Sequence, residues 1–241
     1  MNDLLATAIA AHGGLDRWNG FKTIAQDLTI GGVLWDLKGQ SGLFANTDFK
    51  ADTHRQIAAL EGFGDPAGRL CFTPDRLTLQ PADGSAPTVR DNPRAAFQGH
   101  GIDTPWDDLH AAYFTAYALW TYAAQPFVYS YPGFHTEELA PWSENGETWR
   151  RLKVTFPPDV ASHTRQQVTY FGPDGLMRRH DYSVDVLGGA TGVQYIDDYR
   201  DIQGLKTPHR RRVYPLGDAN HPAPGPLLIS IDVRRARFEA T

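Results

Sequence analysis

A chain of 241 residues with 23 Lys and Arg against 28 Asp and Glu, a formal net charge of -5, has length for a sizeable β-rich core. That charge argues against a nucleic-acid partner, which needs a clustered positive surface; the runs Arg178-Arg179 and Arg210-Arg211-Arg212 are exceptions that sit beside carboxylates and read as paired strand charges. Its 41% hydrophobic and 21% charged residues are a globular rather than a disordered composition. The single cysteine, Cys71, excludes an intrachain disulfide framework and a cysteine-based zinc site.

Asn2 or Asp3 caps a short helix running to about Ala11, with Leu5 and Ile9 on its apolar face. Gly13-Gly14 ends it in the left-handed geometry that helices favour there. No Lys or Arg precedes the short apolar run 4–11, so it does not read as a secretory signal. No stretch approaches the roughly 20 apolar residues that span a bilayer. The expected location is therefore cytoplasmic, a periplasmic one following only from a start further upstream. Residues 15–18 add a turn that packs Trp18 under a sheet.

From Phe21 the apolar period becomes two. Segments 23–33, 35–37, 43–51, 55–63, 69–73 and 76–79 are expected as antiparallel strands separated by Gly, Asp and Pro-Asp punctuation. Residues 81–103, rich in Gly, Pro and Asp, read as a long surface connection. A strongly aromatic helical pattern follows over 104–134. Thr104-Pro105 with Asp107 is its expected start, and Pro126 its stop. Leu109, Tyr113, Tyr117 and Trp120 recur at helical spacing, and Phe114 and Tyr122 widen the stripe over most of the circumference. Such a helix must be covered, by the rest of the protein or by a ligand.

Strands resume at 149–156, 164–171, 176–186, 193–202, 205–214 and 227–238. Short turns join them, among them Asn145-Gly146 and Gly172-Pro173-Asp174-Gly175. No repeat or low-complexity linker divides the chain, so one domain over 1–241 is expected. Alternation sorts the side chains by face. In 176–186, Arg178, His180, Tyr182, Val184 and Val186 share one face, while Arg179, Asp181, Ser183 and Asp185 form the other, read as solvated. Leu227, Ile229, Ile231 and Val233 give way to Arg235 and Arg237 in the last strand. Mixed faces of this kind suit a curved sheet whose concave side is apolar in the middle and polar at the rim.

Ala10-Ala11-His12-Gly13-Gly14, then Trp18 and Thr23-Ile24, together with the tail Asp198-Tyr199-Arg200-Asp201-Ile202, Gly204, Pro208 and Val213-Tyr214-Pro215, resemble the bacterial lipoprotein-carrier (LolA/LolB-like) half-barrel. The resemblance implies a mainly β, α+β fold: a strongly bent antiparallel sheet, open on one side. A short N-terminal helix and the central aromatic helix would cover its concave face, with a hydrophobic cavity between. It also implies a ligand resembling the acyl chains that such carriers move across the periplasm. This chain lacks their export signal and lipid-bearing cysteine, which argues against lipoprotein trafficking itself.

Trp106, Tyr113, Phe114, Tyr117 and Trp120 are candidate cavity-lining residues, although aromatic stripes at helical spacing are more often core. His110 beside Asp107 is an acid–base pair or, more commonly, a helix-start pairing. Arg178, His180 and Tyr182 would bind a ligand carboxylate or phosphate, or form a rim hydrogen-bond network. The nine histidines show no metal spacing, and there is no phosphate cradle or nucleophile elbow. No metal, cofactor or catalytic residue is expected. Cys71 reads as a small buried hydrophobe. The leading reading is a non-catalytic binding or carrier protein for a small hydrophobic or amphipathic ligand, without nucleic-acid or integral membrane association. Two rivals are a metal-independent enzyme using His180, Tyr182 or the Asp107/His110 pair, and a partner-binding module that exposes the aromatic segment.

Overall fold

The period-two segments join one sheet in the computed structural model, which describes residues 2–63 and 68–240. The first half supplies β1 (Thr23–Gly31), β2 (Thr47–Asp52), β3 (Ala58–Phe63), β4 (Gly68–Thr73), β5 (Arg76–Pro81) and β6 (Thr88–Asp91). The second supplies β7 (His135–Glu144), β8 (Glu147–Thr155), β9 (Gln166–Phe171), β10 (Met177–Val184), β11 (Ala190–Ile202), β12 (Leu205–Pro215) and β13 (Ile229–Glu239). All 13 pair antiparallel in the order β6-β5-β4-β3-β2-β1-β13-β12-β11-β10-β9-β8-β7, leaving the sheet open at β6 and β7. The helices are α1 (Asp3–Ala11), α2 (Leu15–Asn19), α3 (Val33–Leu37) and the aromatic α4 (Asp108–Ala124).

This order explains the placement of the helix. The chain enters the sheet at its centre, meanders out to β6, crosses to the far edge through α4, and meanders back until β13 pairs with β1 from Thr23↔Glu239 to Gly31↔Ser230. A connection between the two outer edges of a bent sheet must span its open side. The helix therefore lies across the concave face, buried from Leu109 to Ala124 except for half-buried His110 and Ala123. Ile24, Leu28 and Ile30 of β1 meet this layer by strict alternation. Trp18 of α2 stacks on Phe127 at 4.5 Å. Among the described residues no helix is long and apolar enough to cross a membrane.

Several expectations require correction. Segment 35–37 is helical, not a strand. Gly32 sits at φ 110, where a Cβ would stand 2.3 Å from the Leu228 carbonyl oxygen, so only glycine permits this strand end. β2 and β3 begin later than expected, and the segment between them is a turn in which Asp52 Oδ1 accepts from the His54 and Arg55 amides at 2.9 and 2.8 Å. The connection 81–103 contains β6 and a 3-10 turn (Pro93–Phe97). β7 was not anticipated. Cys71 is exposed, because β4 turns Leu70 and Phe72 inward.

The face expected to be solvated is not. Arg179 is fully buried and Asp181 nearly so. The end of β7 and the 218–220 turn close over them: Arg179 donates to Asp181 Oδ1 at 2.7 Å, to Glu144 Oε2 at 2.8 Å and to the Asn220 carbonyl at 2.7 Å.

Candidate functional site

The N-terminus of α4 is set by Asp107, not Thr104. Asp107 Oδ1 accepts from the His110 amide at 2.8 Å, and His110 Nδ1 faces the Asp107 amide at 3.4 Å, which makes a capping box. Burial alone would raise the Asp107 carboxyl, but Arg90 and the His110 amide hold it down to about 2. The His110 ring packs on Phe97 and His100, with Nε2 3.1 Å from the Ala96 carbonyl. Asp107 and His110 thus form a helix cap, and no hydrogen bond joins them to His180 or Tyr182. Thr104 Oγ1 accepts from the Gly101 amide instead, and buried Lys38 donates to the carbonyls of Gly101, Ile102 and Thr104.

Behind the cap, Trp106, Tyr113, Phe114, Tyr117 and Trp120 are all buried. Trp106 packs on Phe97 and Phe114, and Trp120 Nε1 donates to the Asp52 carbonyl at 2.9 Å. Their hydroxyl-bearing neighbours converge on His163, a loop residue that carries no sequence pattern. Tyr122 donates to the Tyr182 hydroxyl at 3.0 Å, so it accepts from His163 Nε2–H at 2.8 Å, and Nδ1 accepts from Tyr117 at 3.0 Å. One neutral tautomer satisfies all three bonds. Burial pushes the His163 imidazole down to about 3 and raises the Tyr117 and Tyr182 phenols.

A second buried group joins β10, β11 and β12 to the end of α4. Arg211 donates to Gln194 Oε1 at 2.7 Å and to the Tyr122 carbonyl at 2.9 Å, with Gln125 Oε1 at 3.4 Å. Its guanidinium stands 4.7 Å from the centre of the Tyr122 ring. Gln125 Nε2 donates to the Tyr129 hydroxyl at 2.6 Å and lies 3.3 Å from His180 Nδ1. His180 is held neutral by burial and by the Arg211 charge. Arg178 does not share this interior. A register shift between Met177 and Arg179 breaks the alternation, and Arg178 turns outward to Asp174 and Glu147.

The residual space under α4 is small. One cavity of about 30 Å³ is lined by Leu28, Leu119, Tyr122, Gln125, Arg211 and Ile231, among others. Another of about 20 Å³ lies among Ile30, Trp35, Phe114, Ala118 and Ile229. Leu119, Tyr122 and Ile231 border both. Each cavity has room for one or two waters, so side chains fill the concave face. Larger grooves open at the rim: about 630 Å³ beside Arg94, Tyr113 and Arg165, and about 520 Å³ beside Ile57, Trp120 and Phe134. Pro74, Pro157 and Val160 border both grooves.

No protein-family model and no curated protein matches the sequence. Solved structures do. A LolA superfamily protein from Nitrosomonas europaea superposes with a TM-score of 0.53 over 98% of this chain and 92% of that one, at 9% identity. A DUF1329 family protein from Desulfovibrio piger gives 0.47 over 98% and 91%, at 14% identity. A structure described as an outer membrane lipoprotein-sorting protein domain, from Vibrio parahaemolyticus, gives 0.47 over 98% and 91%, at 10% identity. At this identity the likeness is one of fold, and the fold is LolA-like. The cytoplasmic location expected from the sequence is corrected: it does not stand against the likeness in fold to a LolA superfamily protein.

Proposed function

We propose that this protein binds a small hydrophobic or amphipathic molecule in its concave face, between α4 and the sheet. The observation that carries the reading is the pair of residual cavities that share Leu119, Tyr122 and Ile231 in their walls. Displacing those side chains would join the two along the underside of the helix. Phe114 borders one cavity directly; in this reading Tyr113, Tyr117 and Trp120 of α4, with Trp106 just before it, extend the aromatic wall beyond the residues that line the cavities. His180 and Tyr182 form the polar floor across from it. His110 and Arg178 lie outside this volume. The LolA-like fold supports a ligand of acyl-chain type, as the resemblance in sequence implies. The aromatic side chains of α4 are buried, which disfavours an exposed partner interface.

The test is native mass spectrometry of the purified protein against its denatured mass, followed by titration with palmitate while tryptophan fluorescence is read. Trp18 and Trp35 border the cavities, so uptake is expected to change emission. No co-purifying mass and no change in emission would remove the proposal.

A further inference from the structure

Arg211 is buried, yet among the described residues no carboxylate lies within 4 Å of it. A buried charge is costly unless an opposite charge compensates it. The same fold shows how it supplies that compensation where the need is structural: Arg179, as deeply buried, receives both Glu144 and Asp181. Arg211 receives only neutral acceptors, the Gln194 and Gln125 amides and the Tyr122 carbonyl.

The unpartnered atoms around it share one chemistry. Gln194 gives its oxygen to Arg211, which leaves Nε2 as a donor, and that atom has no partner among the described residues. His180 faces the Gln125 amide nitrogen through Nδ1, so Nδ1 accepts and Nε2 carries the hydrogen; it too has no partner. The two residues are cross-strand neighbours. A guanidinium and two free N–H donors, with no free acceptor among them, form a coordination set for an oxyanion. Arg211 and Gln125 also border the about 30 Å³ cavity, whose remaining wall includes Leu28, Leu119, Phe127, Ile231 and Val233.

We infer that the ligand is an anionic amphiphile whose carboxylate or phosphate is held by Arg211, Gln194 and His180 while its alkyl chain replaces the apolar side chains beneath α4. This inference rests on the binding reading above and adds its polar end. It places the ligand's charge deep in the sheet rather than at the solvent rim.

The experiment compares palmitate, hexadecyl phosphate and the uncharged methyl palmitate, each titrated into the full chain and read by tryptophan fluorescence. The wild-type protein is expected to bind palmitate or hexadecyl phosphate at least ten-fold more tightly than the ester, and the stronger of the two identifies the headgroup. In Arg211→Gln the anion is expected to fall to the affinity of the ester, with the ester unchanged, whereas Arg211→Lys keeps part of the preference. Equal affinity of acid and ester in the wild type, or a preference that survives in Arg211→Gln, overturns the inference and leaves ligand binding standing. Failure of all three probes to bind overturns both. The wild-type comparison decides the matter even where a variant does not fold.

Discussion

At the scale of single residues, the interior is built from ionisable groups kept neutral by burial. His163 lies between Tyr117, Tyr122 and Tyr182, with the Arg94 charge also opposing its protonation. His12, equally enclosed, is pushed by burial down to about 4 even though the Ala8 carbonyl at 2.7 Å favours its charged form. Both folded values lie below the roughly 6.5 of an unfolded histidine. Above that pH neither state takes up a proton and stability is complete. Below it the unfolded chain binds protons that the folded chain refuses, so stability falls as pH drops toward about 4 for His12 and about 3 for His163. Each histidine removes about 1.4 kcal/mol per pH unit in that window. Urea midpoints measured from pH 8 to 4.5 are therefore expected to stay level down to about 7 and then decline. In His163→Gln the decline between pH 6 and 5 should be shallower; an identical slope in the variant would remove His163 from the account. None of this was legible at His163, which stands in a loop without period. Arg211 was legible in principle, because alternation puts it on the face opposite Arg210 and Arg212 and alongside His209 and Val213. Its place in a run of three arginines hides that distinction.

At the scale of elements, α4 was the most legible, since its aromatic spacing needs nothing beyond the chain itself. Its start was displaced by three residues, from Thr104 to Asp107, because tertiary contacts decide between two competent caps. Lys38 binds the carbonyls at 101, 102 and 104, and Thr104 Oγ1 is engaged by the Gly101 amide, leaving Asp107 to accept from the His110 amide. Replacing Asp107 by alanine removes the cap and the Arg90 ion pair together. The cap accounts for about 1 kcal/mol, and the half-exposed ion pair adds little. Equilibrium unfolding of Asp107→Ala is expected to show a loss near that size. A loss within error of zero would mean that Thr104 or solvent takes over the cap. Edge strand β7 escaped the pattern for a different reason. Its side chains are mostly exposed or half-buried along its length, and a register shift between Leu139 and Trp142 interrupts alternation around Pro141. Period-two reading works only where one face is buried. The same limit explains Arg179 and Asp181, which are polar in sequence and became buried because a distant turn covers them.

At the scale of the whole molecule, the two meanders share one seam and one strap. The seam is the β1–β13 pairing, which joins the first strand to the last. The strap is α4, which touches both halves: Phe72 of β4 packs on Tyr113, Trp120 bonds the Asp52 carbonyl at the end of β2, and Tyr122 bonds Tyr182 of β10. Arg211 of β12 adds its bond to the Tyr122 carbonyl. Unfolding either half would unpair an edge of the central seam and uncover one side of a helix that is apolar almost all round. Neither half could keep its core in that state, because the aromatic layer belongs to both. The chain over 1–241 is thus proposed to melt as one cooperative unit. Calorimetry is expected to give a single transition whose measured enthalpy equals the van 't Hoff enthalpy. Two transitions, or a calorimetric enthalpy well above the van 't Hoff value, would show that β1–β6 and β7–β13 come apart independently. The same argument bears on ligand uptake. A helix fastened to both halves can make room beneath it only by shifting side chains such as Leu119 and Tyr122 or by moving against one half. A ligand that enters should therefore raise the temperature of that one transition without splitting it.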